Sequence, residues 1–135
     1  MTIATKLVQS FCRYVAIPSQ SDASVNHLPT TPGQLELAKL LEQDLHQLGH
    51  LETEITETGI LIAKLNGNCP EAKTLGFVAH LDTVDVGLSP EIKPQLLHYQ
   101  GEPLCLNAEK NITIDEQLRP ELAAYRGCDI LFGDG

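Results

Sequence analysis

The stretch Thr74-Leu75-Gly76-Phe77-Val78-Ala79-His80-Leu81-Asp82 decides how this chain is read. Its first six residues are almost continuously apolar and include β-formers, the pattern of a strand covered on both faces by other layers. The run passes directly into His80 and Asp82, which are two residues apart. Strand side chains at i and i+2 share a face, so imidazole and carboxylate would emerge together at the strand's carboxyl end. Ligands of open α/β sheets bind at that end. Such a pair suits metal chemistry, because a histidine that ligates through one nitrogen is commonly oriented by a carboxylate at the other. His-x-Asp is also a short string, and an ordinary polar strand end produces it just as readily.

Outward from this stretch the chain alternates helix and strand. Ile3, Leu7, Val8, Phe11 and Val15 make one helical stripe, closed by Pro18. Residues 19–32 are rich in Ser, Thr, Asn and Pro and read as a loop. A second helix opens with Thr31 as N-cap, Pro32 as first residue and Gln34 as the return partner of a capping box. Leu37, Leu41, Leu45 and Leu48 form its stripe, and Gly49 is its left-handed stop. Glu52–Thr56 and Ile60–Leu65 flank Glu57-Thr58-Gly59 as a hairpin. Beyond Asp82 the signal thins. Residues 91–99 hold a strand interrupted by Pro94, residues 101–120 read as irregular, and Cys128–Phe132 is a strand before Gly133-Asp134-Gly135. Asp-Gly in that place announces a hairpin, so the strand is expected to lack its partner and leave an open edge. The alternation gives an α/β fold, with helices packed on a mixed central sheet.

Composition excludes several functions. The 135 residues carry 9 Lys+Arg against 18 Asp+Glu, a net charge of −9, so the clustered cations that bind nucleic acid are missing. With no Trp, 3 Tyr and 3 Phe, stacking platforms for single strands are missing too. No apolar run reaches the roughly 20 residues of a bilayer span, and Lys6, Gln9 and Arg13 interrupt any signal-peptide core. A soluble cytoplasmic protein is expected. Cys12, Cys69, Cys105 and Cys128 are widely spaced without a C-x-x-C pair, and read as reduced thiols packed mostly as small hydrophobes. Asn111-Ile112-Thr113 is a glycosylation sequon without consequence in such a protein.

The remaining histidines offer no constellation. His46 and His50 are four apart, but Gly49 ends the helix between them; His27 and His98 have no nearby partner of ligand type. Asp85 reads as a turn residue or cap.

The run Gly76-Phe77-Val78-Ala79-His80-Leu81-Asp82-Thr83 resembles the first metal-binding motif of the M20 dinuclear zinc metallopeptidases. Several further segments are similar to the tripeptide aminopeptidases of that family. These are the opening helix with Phe11, Arg13, Tyr14 and Val15, then Ser19-Gln20-Ser21, Pro29-Thr30-Thr31-Pro32-Gly33-Gln34, Ile92-Lys93-Pro94 and Tyr99. The resemblance runs from about Leu7 to Gly135. It implies that residues 1–135 are the N-terminal part of a zinc-exopeptidase catalytic domain, without the lid-like second domain. It further implies two zinc ions, with His80 as a zinc ligand and Asp82 as the aspartate that clamps it, and a water that attacks the first peptide bond of a small peptide. By the same resemblance the bridging aspartate, catalytic glutamate and other ligands come after Gly135, so this chain alone is expected to be inactive. Another M20-type dipeptidase or deacylase is an alternative reading, and a non-catalytic binding or interaction module is a second.

Overall fold

The computed structural model describes residues 2–49, 51–87 and 89–134. The elements are α1 (Ile3–Val15), α2 (Pro32–Gln47), β1 (Leu51–Ile55), β2 (Leu61–Leu65), β3 (Gln95–His98), β4 (Leu104–Asn107), β5 (Ile112–Ile114), a 3-10 helix (Pro120–Tyr125) and β6 (Asp129–Phe132). They fall into two compact units, residues 17–90 and residues 1–16 with 91–135. Among the described residues this is a small α/β arrangement with three helices and antiparallel pairs of strands.

In the unit of residues 17–90, α2 packs on the β1–β2 hairpin. Leu37 and Ala38 are buried, Leu41 and Leu45 are half-buried, and Leu48 at the end of the stripe is exposed. Gly49 stops the helix at φ +78°, where its N–H donates to the His46 carbonyl over 3.1 Å. The expected capping box is shifted by one residue. Gln34 Oε1 accepts from the Thr30 backbone N–H (3.0 Å), while the Thr31 hydroxyl donates outward to the Gln20 carbonyl (2.8 Å). The hairpin has the expected register, from Leu51 opposite Leu65 to Ile55 opposite Leu61. Its turn needs Gly59, which sits at φ +83° and donates to the Thr56 carbonyl over 3.0 Å.

Two expectations about the sheet are corrected. Thr74–Ala79 is not a central strand, and no mixed sheet exists among the described residues; the strands form three separate two-stranded antiparallel sheets. Leu75, Phe77 and Val78 are 82%, 96% and 101% exposed. An apolar run specifies that a segment suits the space between layers, but a strand exists only where a second strand supplies the ladder. None of the described strands pairs with this run.

In the unit of residues 1–16 and 91–135, Thr2 caps α1 by accepting from the Thr5 N–H (3.2 Å). The helix buries none of its residues, and Ile3 and Leu7 of the apolar stripe are exposed. Strand β3 starts directly after Pro94, where backbone donors become continuous again. It pairs antiparallel with β6, from Gln95 opposite Phe132 to His98 opposite Asp129. So β6 has β3 on one edge and, among the described residues, no strand on the other, which is the expected open edge; the turn expected after it includes Gly135, outside the described residues. The stretch expected to be irregular holds the β4–β5 hairpin, with a bulge between Cys105 and Asn107, and the 3-10 helix. Tyr99, Leu104 and Leu122 form this unit's buried core, with Leu97, Leu106, Ile114, Ile130 and Phe132 packed around them.

Candidate functional site

His80 and Asp82 lie in irregular backbone rather than at a strand end, but they are together. Imidazole Nδ1 stands 2.7 Å from the Asp82 carbonyl oxygen and 3.1 Å from Asp82 Oδ1. A carbonyl oxygen can only accept, so Nδ1 carries the proton and donates to both atoms. In the neutral ring this leaves the lone pair on Nε2, available to a metal or a proton. The His80 side chain is 83% exposed and that of Asp82 40%.

The backbone just after the pair is held by the loop before α2. Thr83 forms a parallel bridge with Gln20, through Thr83 N–H to the Ser19 carbonyl (3.3 Å) and Ser21 N–H to the Thr83 carbonyl (2.9 Å). The Ser19 hydroxyl donates to the Leu81 carbonyl over 2.9 Å. The local pattern of residues 19–32 indicates a loop but not this contact, which spans 62 positions. Asp85 is a turn residue as expected, its Oδ1 accepting from the Gly87 N–H (3.2 Å).

The other histidines have partners that sequence spacing missed. His98 Nδ1 lies 2.7 Å from Oδ1 of Asp129, its cross-strand neighbour, which corrects the expectation that it has no ligand-type partner. His46 Nε2 donates to the Thr53 hydroxyl (2.7 Å), which donates in turn to Glu42 Oε1 (2.9 Å). His27 Nδ1 donates to the Pro29 carbonyl (3.1 Å), and His50 lies outside the described residues. All four cysteines are free thiols; Cys69, Cys105 and Cys128 are exposed rather than packed.

Among the described residues no group of three or more His, Cys, Asp and Glu side chains could hold a metal ion. A catalytic zinc usually takes three protein ligands. The residues present therefore fit one ligand and its orienting carboxylate, and do not make up a zinc site by themselves.

No family model matches the sequence. Curated relatives do, over the whole chain. It is 47% identical to a peptidase T-like protein of Yersinia pestis and 43% identical to one of Rhizobium meliloti. It is 36% identical to a peptidase T of Bacillus cereus, again with all of the chain covered. The chain is similar to the N-terminal portion of peptidase T. It covers 33% of each of these three relatives. Among the described residues no helix is long and apolar enough to cross a membrane.

Proposed function

We propose that this chain is the N-terminal part of the catalytic domain of a zinc-dependent, cytoplasmic aminopeptidase that releases the first residue of tripeptides. The observation that carries the reading is the His80–Asp82 pair, found within a chain similar throughout to peptidase T. In this reading Asp82 accepts the hydrogen bond from Nδ1–H and fixes the tautomer and orientation of the ring, while Nε2 is the atom offered to zinc. Zinc, when bound by a complete ligand set, would supply Lewis-acid activation of water. The other ligands and the proton-accepting carboxylate belong to sequence beyond these residues, so the 135-residue chain is inactive by itself.

The test joins this chain to the remaining two thirds of the Yersinia pestis relative and measures release of the N-terminal residue from a tripeptide. The expected result is metal-dependent hydrolysis by the chimera, its loss in His80→Ala, and none by the 135-residue chain. Hydrolysis by the chain alone, or full activity in the His80→Ala chimera, would defeat the proposal.

A further inference from the structure

Ser19 is a buried polar residue, only 4% exposed, in a loop whose neighbouring residues are half-buried or exposed. Its hydroxyl donates to the carbonyl of Leu81, the residue between His80 and Asp82. That bond fixes the peptide plane from which Asp82 extends. Both acceptors of the imidazole, the Asp82 carbonyl oxygen and Oδ1, are carried by Asp82. The Gln20–Thr83 bridge pins the far side of Asp82 to the same loop.

The loop in turn rests on the first turn of α2. A Cβ on Gly33 would stand 1.8 Å from the Pro18 carbonyl oxygen, so loop and helix backbones are in direct contact there. The Thr31 hydroxyl holds the Gln20 carbonyl at 2.8 Å. Rigidity therefore passes from α2 to residues 18–21 and from them to residues 81–83. The preceding run, Thr74–Ala79, has no strand partner among the described residues and gives the pair no such support.

We propose that Ser19 is a positioning residue for the His80–Asp82 pair: its hydroxyl aligns Asp82 so that the imidazole is kept as the Nδ1–H tautomer with the Nε2 lone pair free. The inference rests on the reading of that pair as the functional site. It does not depend on bound metal, because tautomer preference is a property of the ring and its hydrogen bonds.

The experiment uses the ¹⁵N-labelled 135-residue chain without metal, with the imidazole in its neutral form. Two-bond ¹⁵N–¹H correlations read the His80 tautomer, and amide exchange reads Thr83. The expected wild-type pattern is Nδ1–H. In Ser19→Ala this pattern is lost toward the Nε2–H form favoured by a free imidazole, and Thr83 exchange rises about five- to tenfold. Ser19→Thr, which keeps the hydroxyl, restores both, and the β1–β2 amides are unchanged throughout. Should Ser19→Ala fail to fold, Thr31→Val loosens the same loop from the α2 side and shifts the tautomer in the same direction. A wild-type tautomer in Ser19→Ala, or in Thr31→Val where that variant stands in, overturns the proposal, as does a wild type with no Nδ1–H preference. A tautomer shift in Ser19→Ala beside an inactive chimera keeps the positioning role and removes the peptidase reading.

Discussion

The Tyr99 hydroxyl donates to Glu116 Oε1 over 2.8 Å from a ring with no solvent exposure. Glu116 is also gripped by Arg126, through Nε to Oε1 (2.7 Å) and a terminal guanidinium nitrogen to Oε2 (2.6 Å). Such two-point pairing is the strong form of an ion pair, and here it closes the polar end of the Tyr99–Leu104–Leu122 core.

This network makes stability depend on pH at both ends. The bonds from Arg126, then from Tyr99, hold the Glu116 carboxyl below its usual range. Its contribution is therefore full above the ordinary carboxylate value and lost as pH falls through the lowered one. Burial, then Glu116, pushes the Tyr99 phenol up. That contribution is full below the ordinary phenol value and lost as pH rises through the raised one. Denaturant unfolding followed across pH is expected to give a plateau with these two shoulders, and Glu116→Gln to flatten the acid one. An unchanged acid limb in that variant contradicts the assignment.

Gly33→Ala tests the contact between α2 and the loop. The nearest atoms to the added methyl are backbone, Pro18 O at 1.8 Å and Pro18 C at 2.8 Å, so no side chain can rotate away. Alanine favours helices intrinsically, yet the overpacking is expected to win and cost about 1–3 kcal/mol. Equal or greater stability than wild type in urea unfolding would contradict the clash.

Features set by neighbouring residues were legible in the sequence. Pro32, Gly49 and Gly59 mark the ends and turns of α2 and the β1–β2 hairpin because proline and glycine act on their own backbone. What depends on distant partners was not. The β3–β6 pairing joins residues more than thirty positions apart, and with it comes the His98–Asp129 contact. The β4–β5 hairpin escaped notice because its strands are short and bulged, with the alternation of Leu104, Leu106, Ile112 and Ile114 split by a turn. At the candidate site, His80 and Asp82 could be named from their order alone, whereas Ser19 could not. Nothing near Ser19 in the sequence says that its hydroxyl will meet Leu81.

Thr53 ties β1 to α2 by accepting from His46 and donating to Glu42. Thr53→Val keeps the shape and the β-branched carbon but leaves both partners to water. The expected loss is about 0.5–1.5 kcal/mol, read by urea unfolding with the hairpin register intact by NMR. A gain in stability would mean that strand propensity outweighs the tie.

The exposed run separates two accounts of the same residues. Were Phe77 in a covered strand, Phe77→Ala would cost about 3–5 kcal/mol, the usual cost of emptying a core position. At 96% exposure it is expected to change the stability of this chain by less than about 0.5 kcal/mol. Leu75, Phe77 and Val78 together form an apolar surface on a segment without strand partners among the described residues, the kind of edge that recruits other chains. The charge of −9 opposes association, but its nearest acidic members, Glu71 and Asp82, flank the run rather than lie within it. Phe77→Lys is therefore expected to lower the mass measured by light scattering at high concentration while leaving the urea midpoint in place. A large loss of stability in either variant would mean that the run is covered in solution, and that the sheet expected around it forms within these 135 residues.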